Sequence, residues 1–136
     1  MEKEKTYQLL LKQVESLIEG ENNAVGQLAN TAALLHETMG WWWTGFYLVN
    51  GDTLQLGPFQ GPIACYNIKR GRGVCGTAWQ EDRTIVVPLH DGEGNIAGVL
   101  DIDSKEIATF DEVDAHWLEE IARVIKHHVF TQSGQS

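Results

Sequence analysis

Long apolar runs are missing from this sequence, although 43% of its 136 residues are hydrophobic. No run approaches the roughly 18 residues that a membrane-spanning helix needs, which argues against a membrane protein. The first residues alternate acidic and basic side chains, and they lack the basic region and short apolar core of a secretory signal. We therefore expect a cytoplasmic protein without a membrane partner.

Basic charge is also scarce. Ten Lys and Arg residues stand against 19 Asp and Glu residues, which gives a formal net charge of −9. Such a surface repels phosphate backbones and offers no basic stripe for a nucleic acid to follow. Metal-binding spacings such as Cys-x-x-Cys and His-x-x-x-His are absent too. We predict no nucleic-acid partner, no metal and no cofactor.

Only two cysteines occur, Cys65 and Cys75, and both lie in a glycine-rich stretch, 57–76, that we expect to form loops and a short helix. In a cytosolic chain a permanent disulfide is uncommon, so reduced thiols are the expected resting state. Small neighbours leave the sulfur of Cys75 approachable, and Arg70 and Arg72 could stabilise its thiolate. A small buried side chain is the simpler role for one cysteine, but two in one loop favour a redox use.

Apolar periodicity predicts a single α+β domain over residues 1–136. The helices that it predicts run over 7–18, from Asn22 or Asn23 to Met39, and from Asp111 to Val129. Two hairpins are predicted between the second and the third helix. One turns at Asn50-Gly51, and the other joins strands 84–89 and 95–103. This order favours an antiparallel sheet with helices packed mainly on one face.

Two acidic residues, Asp101 and Asp103, end the last apolar strand. The two-residue period of a strand puts both carboxylates on one face of the sheet, with Ile102 on the other. They are either solvated residues at a strand end or part of a small polar pocket. Such a pocket would bind an ammonium group or hold an acid of raised pKa.

Three consecutive tryptophans, Trp41, Trp42 and Trp43, precede the first strand, and three neighbouring indoles cannot all face one core. At least one should be partly exposed, and packing in the core or at an interface is the simpler role for each. A wall of Trp43 and Tyr47 beside the two carboxylates would also suit a methyl-sulfur group or a cation. Exposed tryptophans and an apolar first helix make a homodimer a reasonable expectation.

A specific set of motifs extends from the first helix to the last. It includes Trp43-Thr-Gly-Phe-Tyr-Leu48, Leu56-Gly-Pro-Phe-Gln-Gly61, Gly71-Arg-Gly-Val-Cys-Gly-Thr77 and Gly98-Val-Leu-Asp-Ile-Asp-Ser104. Together these motifs resemble the free methionine-(R)-sulfoxide reductases, which are stand-alone GAF domains. The resemblance implies a homodimer that reduces the R-sulfoxide of free methionine, with thioredoxin as the reductant.

The same resemblance assigns roles to individual residues. In that family a cysteine thiolate attacks the sulfoxide sulfur while an acid donates a proton to the departing oxygen. A second cysteine then forms a disulfide, which thioredoxin reduces. The residues that match these roles are Cys65 as the principal resolving cysteine, Cys75 as an additional one, Trp43 and Tyr47 as the aromatic wall around the methylsulfinyl group, and Asp101 and Asp103 as acidic residues that hold the substrate's polar groups.

One feature of that family has no match here. Its members carry roughly twenty further residues before the Val-Pro-Leu strand, in a loop with the nucleophilic cysteine and a pocket glutamate. Here Arg83 and Thr84 lead directly into Ile85. The leading hypothesis is still a reductase of free methionine-(R)-sulfoxide. The missing loop favours the alternative, a non-catalytic GAF domain that binds or senses a small ligand, and a third hypothesis is a redox pair of Cys65 and Cys75 without substrate turnover.

Overall fold

A five-stranded antiparallel sheet forms the middle of the protein in the computed structural model, which describes residues 2–69 and 83–131. The strands are β1 (Trp43–Asn50), β2 (Thr53–Gln60), β3 (Asn67–Lys69), β4 (Thr84–His90) and β5 (Ile96–Asp103). They lie in the order β3-β2-β1-β5-β4, and each neighbouring pair is antiparallel. β1 is therefore the central strand, and β5 lies beside it.

The helices of the described ranges are α1 (Glu2–Ile18), α2 (Ala24–Met39) and α3 (Glu112–Ile125), and a π-helix, Lys126–Phe130, continues α3. The side chain of Asn23 accepts a hydrogen bond from the backbone N–H of Gly26 and starts α2, as predicted. Gly40 ends α2 in the left-handed region, at a φ of 71°. Within residues 2–69 and 83–131, each helix is too short or too polar to cross a lipid bilayer.

The helices pack against one face of the sheet and enclose the main hydrophobic core. Phe46 on β1 and Leu100 and Ile102 on β5 are fully buried against them. These strand residues join buried side chains from each helix, among them Leu10 of α1 and Leu118 of α3. The predicted α+β class, with helices mainly on one face, is confirmed.

The glycine-rich stretch 57–76 differs from the predicted loops and short helix. β2 continues through Gly57, and a short edge strand follows at Asn67–Lys69. Gly57 lies inside a strand because β1 passes close to it: a Cβ there would lie 3.1 Å from the carbonyl oxygen of Phe46. This glycine therefore permits close packing and does not mark a turn. The part of the stretch that contains Cys75 lies outside the described residues.

A buried polar contact joins the first helix to the last. The fully buried Tyr7 donates its hydroxyl to the carboxylate of Asp114, and the ammonium of Lys3 binds the same carboxylate at 2.7 Å. Asp114 also accepts the backbone N–H of Asp111 at 2.9 Å, which completes the capping box of α3. One carboxylate thus connects α1 to the start of α3.

Replacement of Tyr7 by Phe should lower the free energy of unfolding by about 1–3 kcal/mol, because the buried carboxylate of Asp114 loses a hydrogen bond. Urea titrations measure this change. Tyr66→Phe is the matched control, since it removes the same hydroxyl from a side chain that is 79% exposed. The control should change stability by less than about 0.5 kcal/mol. Equal stability of Tyr7→Phe and the wild type would contradict the role assigned to this contact.

Candidate functional site

Asp101 and Asp103 lie on the sheet face that is turned away from the helices, together with Trp43 and Tyr47. In the antiparallel register Trp43 is opposite Asp103 and Gly45 is opposite Asp101. Alternate side chains on the two strands therefore share this face, and Tyr47 is the next one along β1. The structure brings together the four residues that the sequence predicts for substrate binding.

The two carboxylates are buried. Asp101 and Asp103 are 2% and 4% exposed, so their interpretation as solvated strand-end residues is wrong. The hydroxyl of Thr84 on β4 donates a 2.7 Å hydrogen bond to Asp103 Oδ1. Asp101 Oδ1 has no hydrogen-bond partner in the described part of the chain. A buried oxygen of this kind is unfavourable by itself and marks a position where a bound donor would be stabilised.

The acid pair holds a proton at neutral pH. Burial, and then the charge and a hydrogen bond of Asp103, raise the pKa of Asp101 to about 8. Burial also raises the pKa of Asp103, although hydrogen bonds from Thr84 and Asp101 oppose that shift. Two interacting carboxyls titrate as a pair, and Asp101, with a pKa of about 8, is the member that holds a proton near neutral pH. Among residues 2–69 and 83–131, no group of three or more His, Cys, Asp or Glu side chains is arranged to hold a metal ion.

An aromatic stack forms one side of the site. Trp43 stacks on both Tyr47 and Phe59, with ring centroids 5.9 Å and 5.1 Å apart. Gly45 makes room for this stack, because a Cβ there would lie 2.3 Å from the Cβ of Phe59. Phe59 is not among the predicted site residues, because it lies in the stretch 57–76 that was expected to form loops. The register of β2, which pairs Phe59 with Gly45, is what brings it to the site.

Two hydrogen bonds tie this stack to the loop between β2 and β3. Trp43 Nε1–H donates to the carbonyl of Pro62 at 3.0 Å, and the hydroxyl of Tyr47 donates to the carbonyl of Cys65 at 3.1 Å. Burial, and then the charges of the two aspartates, raise the pKa of Tyr47 to about 12. Cys65 is half-buried and disulfide-bonded, so it is oxidised in this structure and not the reduced thiol expected. Cys75 lies outside the described residues.

The three consecutive tryptophans have different surroundings, as predicted. Trp41 is buried in the main core against Phe110, Trp43 is buried in the site, and Trp42 is 40% exposed. Trp42 borders a surface groove of about 670 Å³ that also includes His36. This groove, and another of about 270 Å³ beside α3, include none of the four predicted site residues. The four side chains of the site are themselves only 2–4% exposed.

The fold and one close relative define the class of protein. The GAF domain-containing protein A of Dictyostelium discoideum is 45% identical to this chain over an alignment of 145 positions, gaps included, which takes in 90% of the chain and 92% of that protein. No protein-family model matches the chain. The antiparallel sheet with helices on one face is thus that of a GAF domain.

Two further comparisons specify the family. The free methionine-R-sulfoxide reductase of Escherichia coli is 40% identical, with 89% of this chain and 87% of that protein covered. The solved structure of free methionine-R-sulfoxide reductase from Neisseria meningitidis, in complex with its substrate, is 40% identical and superimposes with a TM-score of 0.86, covering 98% of this chain and 94% of that one. The chain belongs to the free methionine-R-sulfoxide reductase family, which confirms the resemblance seen in its motifs.

The Dictyostelium and Escherichia coli relatives contain residues that have no counterpart in this chain. Their alignments extend over 145 and 143 residues, although they include only 90% and 89% of a chain of 136 residues. The chain is therefore shorter than its relatives within the matched region, in agreement with the predicted missing loop. The position of that loop, directly before β4, stays a prediction.

The raised pKa of Asp101 should make the stability of the protein fall as the pH rises. The folded state binds the proton more tightly than the unfolded chain, so this contribution is complete below the ordinary pKa of 3.8 and is lost as the pH rises to about 8. Asp101→Asn removes the titrating carboxyl, and with it this loss of stability at higher pH. Relative to the wild type, its free energy of unfolding should increase by more than about 1.4 kcal/mol between about pH 4 and about pH 8.

Urea titrations over this pH range measure the difference. Asp52→Asn is the control, because Asp52 is an exposed carboxylate in the turn between β1 and β2. It should follow the wild type at every pH. Parallel curves for Asp101→Asn and the wild type would show that Asp101 does not titrate with a raised pKa.

Proposed function

We propose that the protein reduces free L-methionine-(R)-sulfoxide to methionine, as a thiol-dependent enzyme that repairs oxidative damage. The observation that supports this most is the buried pair of Asp101 and Asp103 beside the stacked rings of Trp43 and Tyr47. Membership of a family whose relatives are named for this reaction supports the same conclusion.

The substrate would use both sides of the site. Its ammonium group would bind the negative charge of the acid pair and the unpartnered Oδ1 of Asp101. Its methylsulfinyl group would pack on the ring of Trp43, since methyl-sulfur groups make favourable contacts with aromatic rings. A methionine sulfoxide within a protein chain has no free ammonium group, so this site favours the free amino acid.

Reduction needs a thiolate and a proton. The thiolate attacks the sulfoxide sulfur, and the oxygen takes up a proton and passes to the cysteine, which leaves methionine and a sulfenic acid. An acid of the site supplies this proton. The sulfenic acid then condenses with the second cysteine to give a disulfide and water. We assign this sulfur chemistry to Cys65 and Cys75, the two cysteines of the sequence.

Thioredoxin is the proposed reductant, because it opens disulfides by thiol exchange and so returns both cysteines to thiols. A cytoplasmic location is proposed with it, since such a cycle needs a supply of reduced thiols. We also propose a homodimer. The partly exposed indole of Trp42 supports this state, because a large aromatic surface is favourable at an interface.

Binding of methionine or its sulfoxide without turnover is a second candidate function. It is favoured by the length of the relatives, which carry residues that this chain lacks. By resemblance, the missing residues include the family's attacking cysteine. The pocket of Trp43, Tyr47 and the two acids would then hold the ligand, and Cys65 and Cys75 would not turn it over.

Turnover and binding distinguish the two functions. With thioredoxin, thioredoxin reductase and NADPH, the enzyme should consume NADPH with the R epimer of free methionine sulfoxide and not with the S epimer. Cys65→Ser should abolish turnover and leave the binding measured by calorimetry unchanged. Binding without NADPH consumption would assign the second function, and the absence of both would refute the two proposals together.

Asp103→Asn should weaken the binding of free methionine-(R)-sulfoxide by about tenfold, which corresponds to about 1.4 kcal/mol. The reason is that the acid pair loses the negative charge that faces the ammonium group. Isothermal titration calorimetry at neutral pH measures this change, with Asp52→Asn as the control for loss of an exposed carboxylate. An unchanged affinity in Asp103→Asn would exclude the acid pair as the ammonium site.

A further inference from the structure

The loop between β2 and β3 presents two apolar side chains to solvent, on either side of Cys65. Ile63 is 97% exposed and Tyr66 is 79% exposed, the two highest values among the exposed large apolar residues of the described ranges. Single exposed apolar residues are ordinary. Two of them around a disulfide-bonded cysteine form a patch next to a reactive group.

This loop is held from the inside by hydrogen bonds. Its carbonyls at Pro62, Cys65 and Tyr66 each accept one, from the side chains of Trp43 and Tyr47 and from a backbone N–H of β2. The last of these bonds is 2.8 Å long. The backbone on both sides of the cysteine is therefore fixed with its carbonyls inward. The two apolar side chains stay outward as long as these bonds are kept.

The sequence around the patch is uncharged. From Thr53 to Ile68 there is no Asp, Glu, Lys or Arg, in a chain with a net charge of −9. An uncharged segment with two exposed apolar side chains suits contact with an apolar surface on a partner. Small contacts of this kind are typical of brief redox encounters between proteins.

We propose that Ile63 and Tyr66 form the docking surface for a protein dithiol that reduces the disulfide of Cys65. This inference rests on the proposed thiol cycle and identifies the surface that its reductant contacts. Thiol exchange requires the attacking sulfur to touch the disulfide, so residues beside Cys65 lie within the footprint of the partner. Their fixed, outward side chains provide apolar contact area at that position.

The exchange has two steps in which atoms and electrons balance. A partner thiolate bonds to Cys65 Sγ, the disulfide bond breaks, and the other sulfur leaves as a thiolate that takes a proton from solvent. The second partner thiol loses its proton and attacks the partner's own sulfur in the mixed disulfide, which releases Cys65 as a thiolate. The partner dithiol is oxidised to a disulfide, and the protein disulfide gains the two electrons.

The rate at which reduced thioredoxin opens the disulfide tests this surface, with no methionine sulfoxide present. Thioredoxin reductase and NADPH keep the thioredoxin reduced, and new thiols are alkylated and counted by mass spectrometry. Ile63→Ser and Tyr66→Ser should each lower the rate constant by about threefold to tenfold, and the double variant should lower it further. With dithiothreitol, which is too small to need a docking surface, the variants should react at the wild-type rate.

Two controls accompany these variants. Ile107→Ser removes an apolar side chain that is 56% exposed elsewhere on the protein, and Tyr66→Phe keeps the aromatic ring. Both should react with thioredoxin at the wild-type rate. An unchanged rate in the double variant, or equal slowing with dithiothreitol, would overturn the proposal. A shift from dimer to monomer in light scattering would also overturn it, because the patch would then join two copies of this chain.

Failure of the proposed reaction would give a different result. A protein that opens its disulfide in a Tyr66-dependent manner but does not reduce methionine sulfoxide would retain the docking surface and lose the proposed function. Turnover that thioredoxin drives equally well in the wild type and in the double variant would support the function and refute the docking surface.

Discussion

The alternation of side chains along β5 determines where both the core and the site lie. Leu100 and Ile102 pack under the helices, whereas Asp101 and Asp103 face the other side of the sheet. A shift of one residue in the pairing with β1 would put both carboxylates into the main core. The apolar burial that keeps β5 in register therefore also holds two acids together, against their repulsion and their loss of hydration.

The aromatic stack connects this acid pair to the cysteine loop. Trp43 and Tyr47 lie on the same sheet face as the carboxylates and donate their polar hydrogens to the loop carbonyls. Each of these side chains is thus both a member of the site and a support of the loop. A substitution that removes either ring would change two parts of the site at once, whereas removal of the tyrosine hydroxyl alone separates the two roles.

Local sequence signals predicted the parts of the fold that local physics controls. The side chain of Asn23 caps the start of α2, and Gly40 ends this helix in the left-handed conformation. The two-residue period of a strand is enough to put Asp101 and Asp103 on one face of the sheet. The prediction that Gly57 begins a loop is wrong. Glycine is typical of turns, but here it lies in β2 and permits close packing against β1, a tertiary contact that the local sequence does not reveal. Phe59 was missed with it. The burial of the acids could not be predicted either, since it depends on what covers that face.

The hydroxyl of Tyr47 keeps its proton at the alkaline pH values at which free thiols lose theirs. A free cysteine loses its proton at about pH 8.5, whereas the pKa of Tyr47 is raised to about 12. The tyrosine therefore remains a donor to the carbonyl of Cys65 through the whole range in which a thiol becomes a thiolate. The hydrogen bond that supports the loop backbone beside Cys65 is therefore kept at every pH at which a free thiol becomes a nucleophile.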